Sequence, residues 1–237
     1  MCGRYTAADP RRIADAFPEI SEIERGGLRR FNISPTDEVL AVVARDGARR
    51  AKRMRWGLVP HWAKDASGAA RMINARAESV FERPAYRELV ADVRSRCLVL
   101  ADGFYEWLRA EDAKRPRLPV RFTLPGEEPF AFAGLCTTWR PPGEGERLRT
   151  CTILTTSANA VVAPLHDRMP VILADDESRA AWLDADADVP ALLRPLPDHL
   201  LRARRANPRM NASDYEEPDA LDGDAPQPED PQLSLGL

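Results

Sequence analysis

The sequence predicts an α+β fold, a single domain in which helices flank a curved, mostly antiparallel, barrel-like β-sheet. The chain has 237 residues, of which 44% are hydrophobic, so it can bury the core of one large domain. Helical and strand-like segments follow one another without the regular strand–helix–strand order of a parallel sheet. A run of short apolar strands fills the middle of the chain, and no internal repeat is present.

The first predicted elements are a helix and a pair of strands. The segment DPRRIADAFPEI opens with Asp-Pro, a helix start, and its apolar residues share one face. A loop then leads to a strand, Val39 to Ala44, which ends at an Asp-Gly turn. The next segment predicts a strand and then a proline-interrupted loop that holds Trp56 and Trp62.

The later elements are one helix, several strands and a final helix. ERPAYRELVADV has helical spacing of its apolar residues. The apolar strands are RCLVLADGFYEW, PVRFTL, FAFAGLCTTW and RTCTILTTSA. DDESRAAWLDA predicts a helix with an acidic first turn, which suits the helix dipole.

The composition changes at Ser213. From there to Leu237 the chain has eight acidic residues and no Lys or Arg, so residues 1–212 carry a net charge of +5 against −3 for the whole chain. A basic body permits a phosphate-binding face. The acidic, Pro-rich segment 213–237 has too little apolar surface to offset its ordering entropy, so we predict a domain over 1–212 followed by a disordered tail.

Composition also excludes several classes of protein. A mean hydropathy of −0.41 and the lack of a long apolar run argue against a membrane span, and no secretory signal precedes the domain. Cys97, Cys136 and Cys151 lie in apolar strands and form no CxxC pair with each other or with Cys2. We therefore expect a cytoplasmic protein, a monomer, with free buried cysteines and with no disulfide, metal site or cofactor.

Cys2 is the first candidate for chemistry. If Met1 is removed, this residue carries both an α-amine and a thiol. The α-amine has a pKa near 8, so a useful fraction is nucleophilic at neutral pH. An amine attacks an aldehyde to give a Schiff base, and the adjacent thiol can then close a five-membered thiazolidine ring.

Three more segments offer polar groups. Glu106 lies between Tyr105 and Trp107, which indicates partial desolvation and a raised carboxyl pKa. His166 lies on a loop between two prolines. In MINARAES, Asn74, Arg76 and Glu78 alternate, so they share a face if that segment is extended. Each of these also has a structural interpretation: an exposed glutamate, a hydrogen-bonded histidine or a polar sheet edge.

The motifs together resemble one family. MCGRYT, NISPT, WGLVPHWAKD, INARAES, RCLVLADGFYEW, TILTTSAN and PLHDRMPVIL are similar, in this order and over residues 2–212, to the successive motifs of the SRAP (SOS response-associated peptidase) family. That resemblance implies the SRAP fold, with a basic groove, and an abasic-site processing protein that crosslinks itself to single-stranded DNA.

The resemblance also implies roles for individual residues. Cys2 is the crosslinking nucleophile, and Asn74, Glu106 and His166 match the other active-site positions. Further matched positions are implied to contact DNA or line its channel: Arg4, Asn32, Pro35, Trp56, Trp62 and Arg76. Two other functions stay open, a thiol (auto)peptidase built on Cys2, His166 and Asn74, and a single-strand-binding module that needs no Cys2.

The end of the tail resembles a second motif. QLSLGL resembles the short peptide with which bacterial replication and repair proteins dock on the sliding clamp, through Gln232, Leu233, Leu235 and Leu237. Apolar residues at the end of a polar linker have no core to join, so they suit a pocket on a partner. The sequence therefore predicts two partners, abasic single-stranded DNA and the sliding clamp.

Overall fold

A computed structural model of the chain describes residues 2–19, 29–108, 117–143 and 145–223. The strands are β1 (Tyr5–Ala7), β2 (Arg30–Ile33), β3 (Glu38–Arg45), β4 (Ala48–Trp56), β5 (Asn74–Arg76), β6 (Arg96–Ala101), β7 (Gly103–Leu108), β8 (Leu118–Thr123), β9 (Phe130–Trp139), β10 (Leu148–Ser157), β11 (Arg168–Pro170), β12 (Ile172–Leu173) and β13 (Arg202–Arg205). The helices are α1 (Pro10–Ala16), α2 (Arg87–Ala91), α3 (Asp176–Trp182) and α4 (Val189–Leu192).

Five strands close into a ring. β3 pairs with β4, β4 with β10, β10 with β9, β9 with β6, and β6 with β3. Within this ring only the β4–β10 pairing is parallel; β5 extends the sheet as a second parallel partner of β10. The predicted α+β fold with a curved, mostly antiparallel, barrel-like sheet is therefore confirmed, and closure leaves the ring without an open edge.

A second sheet lies beside the ring in the order β13-β8-β7-β1-β2. Only Asp102 separates β6, in the first sheet, from β7, in the second. Its carboxylate accepts hydrogen bonds from Thr6 Oγ1 and from the amides of Ala8 and Asp9, which ties the chain at this crossing. Gly103 follows because a Cβ here would lie 2.7 Å from Arg121 Nε. The Asp-Gly break in RCLVLADGFYEW is thus the point where the chain changes sheets.

The core is aromatic where the two sheets meet. The Tyr5 ring from β1 contacts Trp56 edge-on at 5.2 Å between centroids and Phe132 at 5.4 Å. All three side chains are fully buried. Burying such a side chain contributes about 1.5–3 kcal/mol, so this contact fixes the position of β1, and with it the N-terminus, on the barrel.

The helices are short, and α1, α3 and α4 each begin at an aspartate cap. The Asp9 carboxylate accepts the amides of Arg11 and Arg12 at the start of α1, and Asp175 forms a capping box with Ser178 at the start of α3. Helices predicted in DPRRIADAFPEI, ERPAYRELVADV and DDESRAAWLDA are present as α1, α2 and α3.

The chain after β13 returns to the second sheet, which corrects one prediction. Residues 213–223 were expected to begin the disordered tail, but Tyr215, Ala220 and Leu221 pack on Phe31 and Tyr105. The Glu216 carboxylate accepts the amides of Phe31 and Asn32 on β2. The segment is ordered in spite of its polar composition because its few apolar side chains pack against the second sheet and because the Glu216 carboxylate binds the open edge of β2. We refer to Asn207–Gly223 as the C-terminal strap; residues 224–237 lie outside the described residues.

Candidate active site

Cys2 lies at the junction of the two sheets. β1 pairs antiparallel with β7 in the register Tyr5–Phe104, and the Tyr105 amide donates to Arg4 O at 3.0 Å. Continuing this register brings Gly3 opposite Glu106. The Cys2 side chain is fully buried, and its Sγ lies 3.7 Å from Arg4 O. The second residue of the chain is therefore part of the core and lies next to a carboxylate from β7.

Asn74 joins Cys2 to the other sheet. It is the first residue of β5, where it pairs with Ile153 of β10. Its Nδ2 donates to the carbonyl oxygen of Cys2 at 2.7 Å. The side chain therefore holds the backbone of Cys2, the atom group that carries the α-amine, and leaves the thiol untouched.

Glu106 is the most perturbed carboxylate of the site. Its side chain is only 4% exposed, and burial raises its pKa to about 7, with the charge of Asp167 acting in the same direction. Burial also raises the pKa of the Cys2 thiol well above its usual value, and the nearby Glu106 charge adds to that effect. At neutral pH the thiol is therefore protonated, while Glu106 populates both of its protonation states.

His166 lies in the connection between β10 and β11. The Ala158 amide donates to Asp167 O at 3.0 Å, which closes this turn. The Nδ1 of His166 accepts the Arg168 amide at 2.9 Å, so the neutral ring carries its proton on Nε2. Asp167 Oδ1 also lies 2.9 Å from Nδ1, but this carboxylate is 83% exposed, and the backbone contact is the stronger constraint. Asp167, the next residue in the chain, contributes to the raised pKa of Glu106, so this turn faces the Glu106 side of the site.

Arginines lie on the β5–β10–β11 side of the site. Arg76 ends β5 with an exposed side chain. Arg168, on β11, forms a two-pronged ion pair with Glu78 at 2.6 and 2.7 Å and donates to Thr155 O. The alternation of Asn74, Arg76 and Glu78 predicted one shared face if the segment is extended. The strand instead ends at Arg76, and Glu78 lies on a 3-10 turn over Ala77–Ser79. Sequence reasoning missed Arg168, although it follows His166 by two residues.

Arg4 borders a cavity of about 460 Å³ on the β1–β7 side, which is lined by Gly3, Arg4, Pro35, Trp107, Arg117 and Asn211. The guanidinium carbon of Arg4 lies 6.0 Å from the centre of the Trp107 ring. Sequence reasoning pointed to Arg4 and Pro35 here but missed Trp107, Arg117 and Asn211. The position of Trp107 next to Glu106 was the available signal, whereas nothing local marks Asn211.

Two residues expected to contact DNA are buried, which corrects both predictions. Trp56 is fully buried and its Nε1 donates to Ile73 O, so its ring is a core element with no face for a nucleobase. Asn32 is also fully buried. Its side chain donates to backbone carbonyls and accepts a hydrogen bond from Arg4. Trp62 is different, because it is 53% exposed and packs edge-on with His61 at 4.7 Å between ring centroids.

The remaining expectations concern metals, cysteines, membranes and the tail. In the ranges that the structure describes, no group of three or more His, Cys, Asp or Glu side chains could hold a metal ion. Cys97, Cys136 and Cys151 are buried free thiols, as predicted. No helix in these ranges is long and apolar enough to cross a membrane. Gln232, Leu233, Leu235 and Leu237 lie outside the described residues.

Comparison with known proteins gives a consistent set of relatives. Residues 1–213 match the family described as SOS response associated peptidase (SRAP). The chain is 36% identical over 228 residues to abasic site processing protein YoqW of Bacillus subtilis (strain 168), covering 94% of this chain and 99% of that one. It is 40% identical over 200 residues to abasic site processing protein YoaM of the same strain, covering 83% and 85% of the two chains.

A solved structure supports the fold. A protein from Bacteroides thetaiotaomicron superimposes with a TM-score of 0.76 over 87% of this chain and 92% of that chain, at 24% sequence identity. This likeness shows that the two-sheet architecture is shared. It carries no information about the reaction, because the identity is low.

Proposed function

The chain belongs to the SRAP family, and from that premise we propose that it processes abasic sites in DNA by forming a covalent thiazolidine crosslink through Cys2. One observation carries the proposal: the backbone of Cys2 is held by Asn74 at 2.7 Å, and its thiol lies beside Glu106, whose pKa is raised to about 7. An anchored N-terminal residue next to a proton-shuttling carboxyl group is what this chemistry requires.

The reaction needs two bond-forming steps. After removal of Met1, the α-amine of Cys2 attacks C1′ of the ring-opened abasic aldehyde, and loss of one water gives an imine. The thiol sulfur then adds to the imine carbon, and its proton moves to the nitrogen, which closes a five-membered ring. No oxidant or cofactor enters. The ring has no imine left to promote β-elimination, so the strand stays intact.

Glu106 moves the protons, and His166 stabilises the oxygen that is released when the sugar opens. A carboxyl group that titrates near pH 7 can accept a proton from the attacking amine and return it to the departing hydroxyl. His166, with its proton on Nε2, assists opening of the closed sugar by donating a hydrogen bond to the ring oxygen. Reversal of the crosslink uses the same groups in the opposite direction.

Single-stranded DNA is held by charge and stacking. Arg76 and Arg4 suit phosphates on either side of the lesion, and the exposed Trp62 offers a face for a base. These contacts read no sequence, in keeping with a lesion that has no base. We place this activity in the cytoplasm, on template exposed during replication.

The decisive test is incubation of the mature protein with a single-stranded oligonucleotide containing one abasic site. We expect a heat-stable adduct on a denaturing gel that is lost in Cys2→Ala. Cys136→Ala is the matched control, because it also removes a buried free thiol, on β9 of the barrel, and should form the adduct normally. Intact mass of each sample verifies that Met1 is absent. A heat-stable adduct in Cys2→Ala would contradict the proposal.

The peptidase alternative makes a different demand on the same residues. A Cys–His–Asn peptidase needs a reactive thiolate and an Asn that orients the His. Here burial keeps the Cys2 thiol protonated, and Asn74 holds the Cys2 carbonyl. Both features favour crosslinking. Cleavage of a peptide in trans that is lost in both Cys2→Ala and His166→Ala would support the peptidase. Single-strand binding that is unaffected by Cys2→Ala is expected for all three functions and does not distinguish them.

For the tail we propose sliding-clamp binding through Gln232, Leu233, Leu235 and Leu237. The segment 224–231 that precedes this peptide contains three prolines and three acidic residues, so it suits a tether that keeps the domain near exposed template. Fluorescence anisotropy of a labelled peptide spanning 230–237 against purified clamp tests this. Saturable binding that Gln232→Ala and Leu235→Ala both weaken is expected. Absence of binding at tens of micromolar clamp would remove the clamp and leave the crosslinking proposal intact.

A further inference from the structure

The C-terminal strap and the Arg4 guanidinium are joined by one buried side chain, Asn32. Its Oδ1 accepts Arg4 Nη1 at 2.7 Å. Its Nδ2 donates to three carbonyl oxygens of the strap, those of Met210, Ala212 and Tyr215, at 2.8–3.1 Å. Arg4 Nη1 also donates directly to Met210 O at 3.0 Å. The side-chain amide of Asn32 therefore forms hydrogen bonds to both the strap and Arg4.

This arrangement leaves one edge of Arg4 available. Both hydrogen bonds of the guanidinium fall on Nη1, so Nη2 and Nε have no hydrogen bond to the residues that the structure describes. The side chain borders the 460 Å³ cavity that Gly3 and Trp107 also line. A guanidinium pinned by one nitrogen and open at the others presents a fixed pair of donors, the geometry that suits a phosphate.

The strap itself is fastened to the edge of the second sheet. β2 is the last strand of that sheet, and Glu216 Oε2 accepts the amides of Phe31 at 2.8 Å and Asn32 at 3.2 Å, in the place where another strand would pair. Glu216 Oε1 accepts Arg30 Nε at 2.7 Å. The carboxylate thus fastens the strap to β2 at Asn32 itself and at the residue before it, Phe31.

A second strap residue reaches the site through Trp107. Asn211 Oδ1 accepts Trp107 Nε1 at 2.6 Å, and its Nδ2 donates to Arg117 O at 2.8 Å. Trp107 follows Glu106 on β7 and carries the ring beside Arg4. The strap therefore contacts both Arg4 and Trp107, which line this cavity.

We propose that Asn32 is a positioning residue: it transmits the fixed position of the C-terminal strap to Arg4 and so holds that guanidinium ready for a DNA phosphate. The inference rests on the proposed phosphate role of Arg4. It assigns to Asn32, and to residues 207–223 outside the barrel, a part in DNA binding that needs no contact between them and DNA.

The test is binding of the full-length chain to an undamaged single-stranded oligonucleotide, measured by anisotropy over a series of salt concentrations. Arg4→Ala should lower the salt slope by about 0.7, the value for one phosphate contact on single strands. Asn32→Ala should lower the slope in the same direction and weaken binding about five- to tenfold, within the range for coupled neighbours. In the Arg4→Ala background, Asn32→Ala should add no further loss.

Two more variants keep the result interpretable. Glu216→Ala, whose side chain is 31% exposed, unfastens the strap without touching Arg4 and should give a smaller loss in the same direction even if Asn32→Ala fails to fold. Glu128→Ala is the matched control, because it removes the same charge from an ion-paired carboxylate, bound to Arg12, that lies outside the strap. It should bind as the wild type does.

The outcomes separate the two proposals. If Arg4→Ala lowers the slope and the folded Asn32 and Glu216 variants leave it unchanged, positioning by Asn32 is overturned while the role of Arg4 stands. Equal losses from Asn32→Ala with and without Arg4 would also overturn it, because Asn32 would then act elsewhere. If Arg4→Ala itself leaves the slope unchanged, the phosphate role of Arg4 fails, and the positioning inference falls with it.

Discussion

The two walls of the site differ in how far their ionisable groups are exposed to solvent. On the wall from the second sheet, Cys2 and Glu106 are almost completely removed from solvent, and burial raises the pKa of both. On the wall from the barrel, Arg76 is exposed and Arg168 is ion-paired with Glu78. In the proposed function, the buried Glu106 of the first wall moves protons near neutral pH, and the exposed Arg76 of the second wall holds phosphate. The comparison is therefore between a buried group assigned to bond making and an exposed group assigned to DNA binding.

Burial on the first wall has a thermodynamic cost. A carboxylate taken out of water is destabilised relative to its protonated form, and that difference is what brings the pKa of Glu106 to about 7. Charges on the second wall keep their hydration or a partner. Variants of the first wall should therefore change rates strongly and stability measurably, whereas variants of the second should change mainly salt-dependent affinity.

The largest effect is expected from Cys2→Ser. Serine keeps the α-amine, so the imine still forms, but its hydroxyl closes a ring poorly. We expect an adduct that borohydride traps and that falls apart on heating without it, while single-strand affinity stays near the wild-type value. An untreated adduct as durable as that of the wild type would contradict ring closure by the thiol.

Glu106→Gln should lower the rate of adduct formation by about 10²–10⁴-fold, the usual contribution of a general acid–base group. In the wild type the rate should rise through pH 7 as Glu106 ionises, and this inflection should be absent from the variant. Single-turnover rates between pH 5.5 and 8.5 measure both. Loss of DNA affinity in Glu106→Gln, measured on an undamaged strand, would make Glu106 structural instead.

The same substitution should stabilise the fold above neutral pH. Because the folded-state pKa of Glu106 is raised from 4.5 to about 7, the folded chain binds more protons than the unfolded chain between these values, and stability falls as pH rises through them. Glu106→Gln should therefore gain about 1–3 kcal/mol at pH 8 and little at pH 4.5. Urea denaturation of both proteins at the two pH values checks this. A gain independent of pH would mean that ionisation of Glu106 is not its cause.

The sequence singled out the candidate residues of the site because each has a local mark. Cys2 is marked by its position, Glu106 by two aromatic neighbours and His166 by two prolines. The barrel followed from the succession of apolar strands. What joins these residues is long-range: Asn74 reaches Cys2 across 72 positions, and the parallel pairing of β5 with β10 that places it has no local signature.

Burial was the property that the sequence concealed. Trp56 and Trp62 lie six residues apart in one predicted loop region, yet one is fully buried and the other is 53% exposed. Trp56 is the last residue of β4 and packs on Tyr5 from the other sheet, a contact that depends on the whole fold. The polar composition of residues 213–223 likewise hid one carboxylate, Glu216, that finds an open strand edge.

The smallest effect is expected from Arg76→Ala, a variant of the second wall. Arg76→Ala should weaken binding to all single-stranded sequences alike and lower the salt slope by about 0.7, because one phosphate contact is lost, while the rate of adduct formation at saturating DNA stays unchanged. Arg204→Ala removes an arginine that is 81% exposed on β13 and serves as the control. Anisotropy titrations on several sequences and single-turnover rates distinguish the outcomes. A slower saturated rate in Arg76→Ala would mean that Arg76 also takes part in bond making, and the division between the walls would not hold.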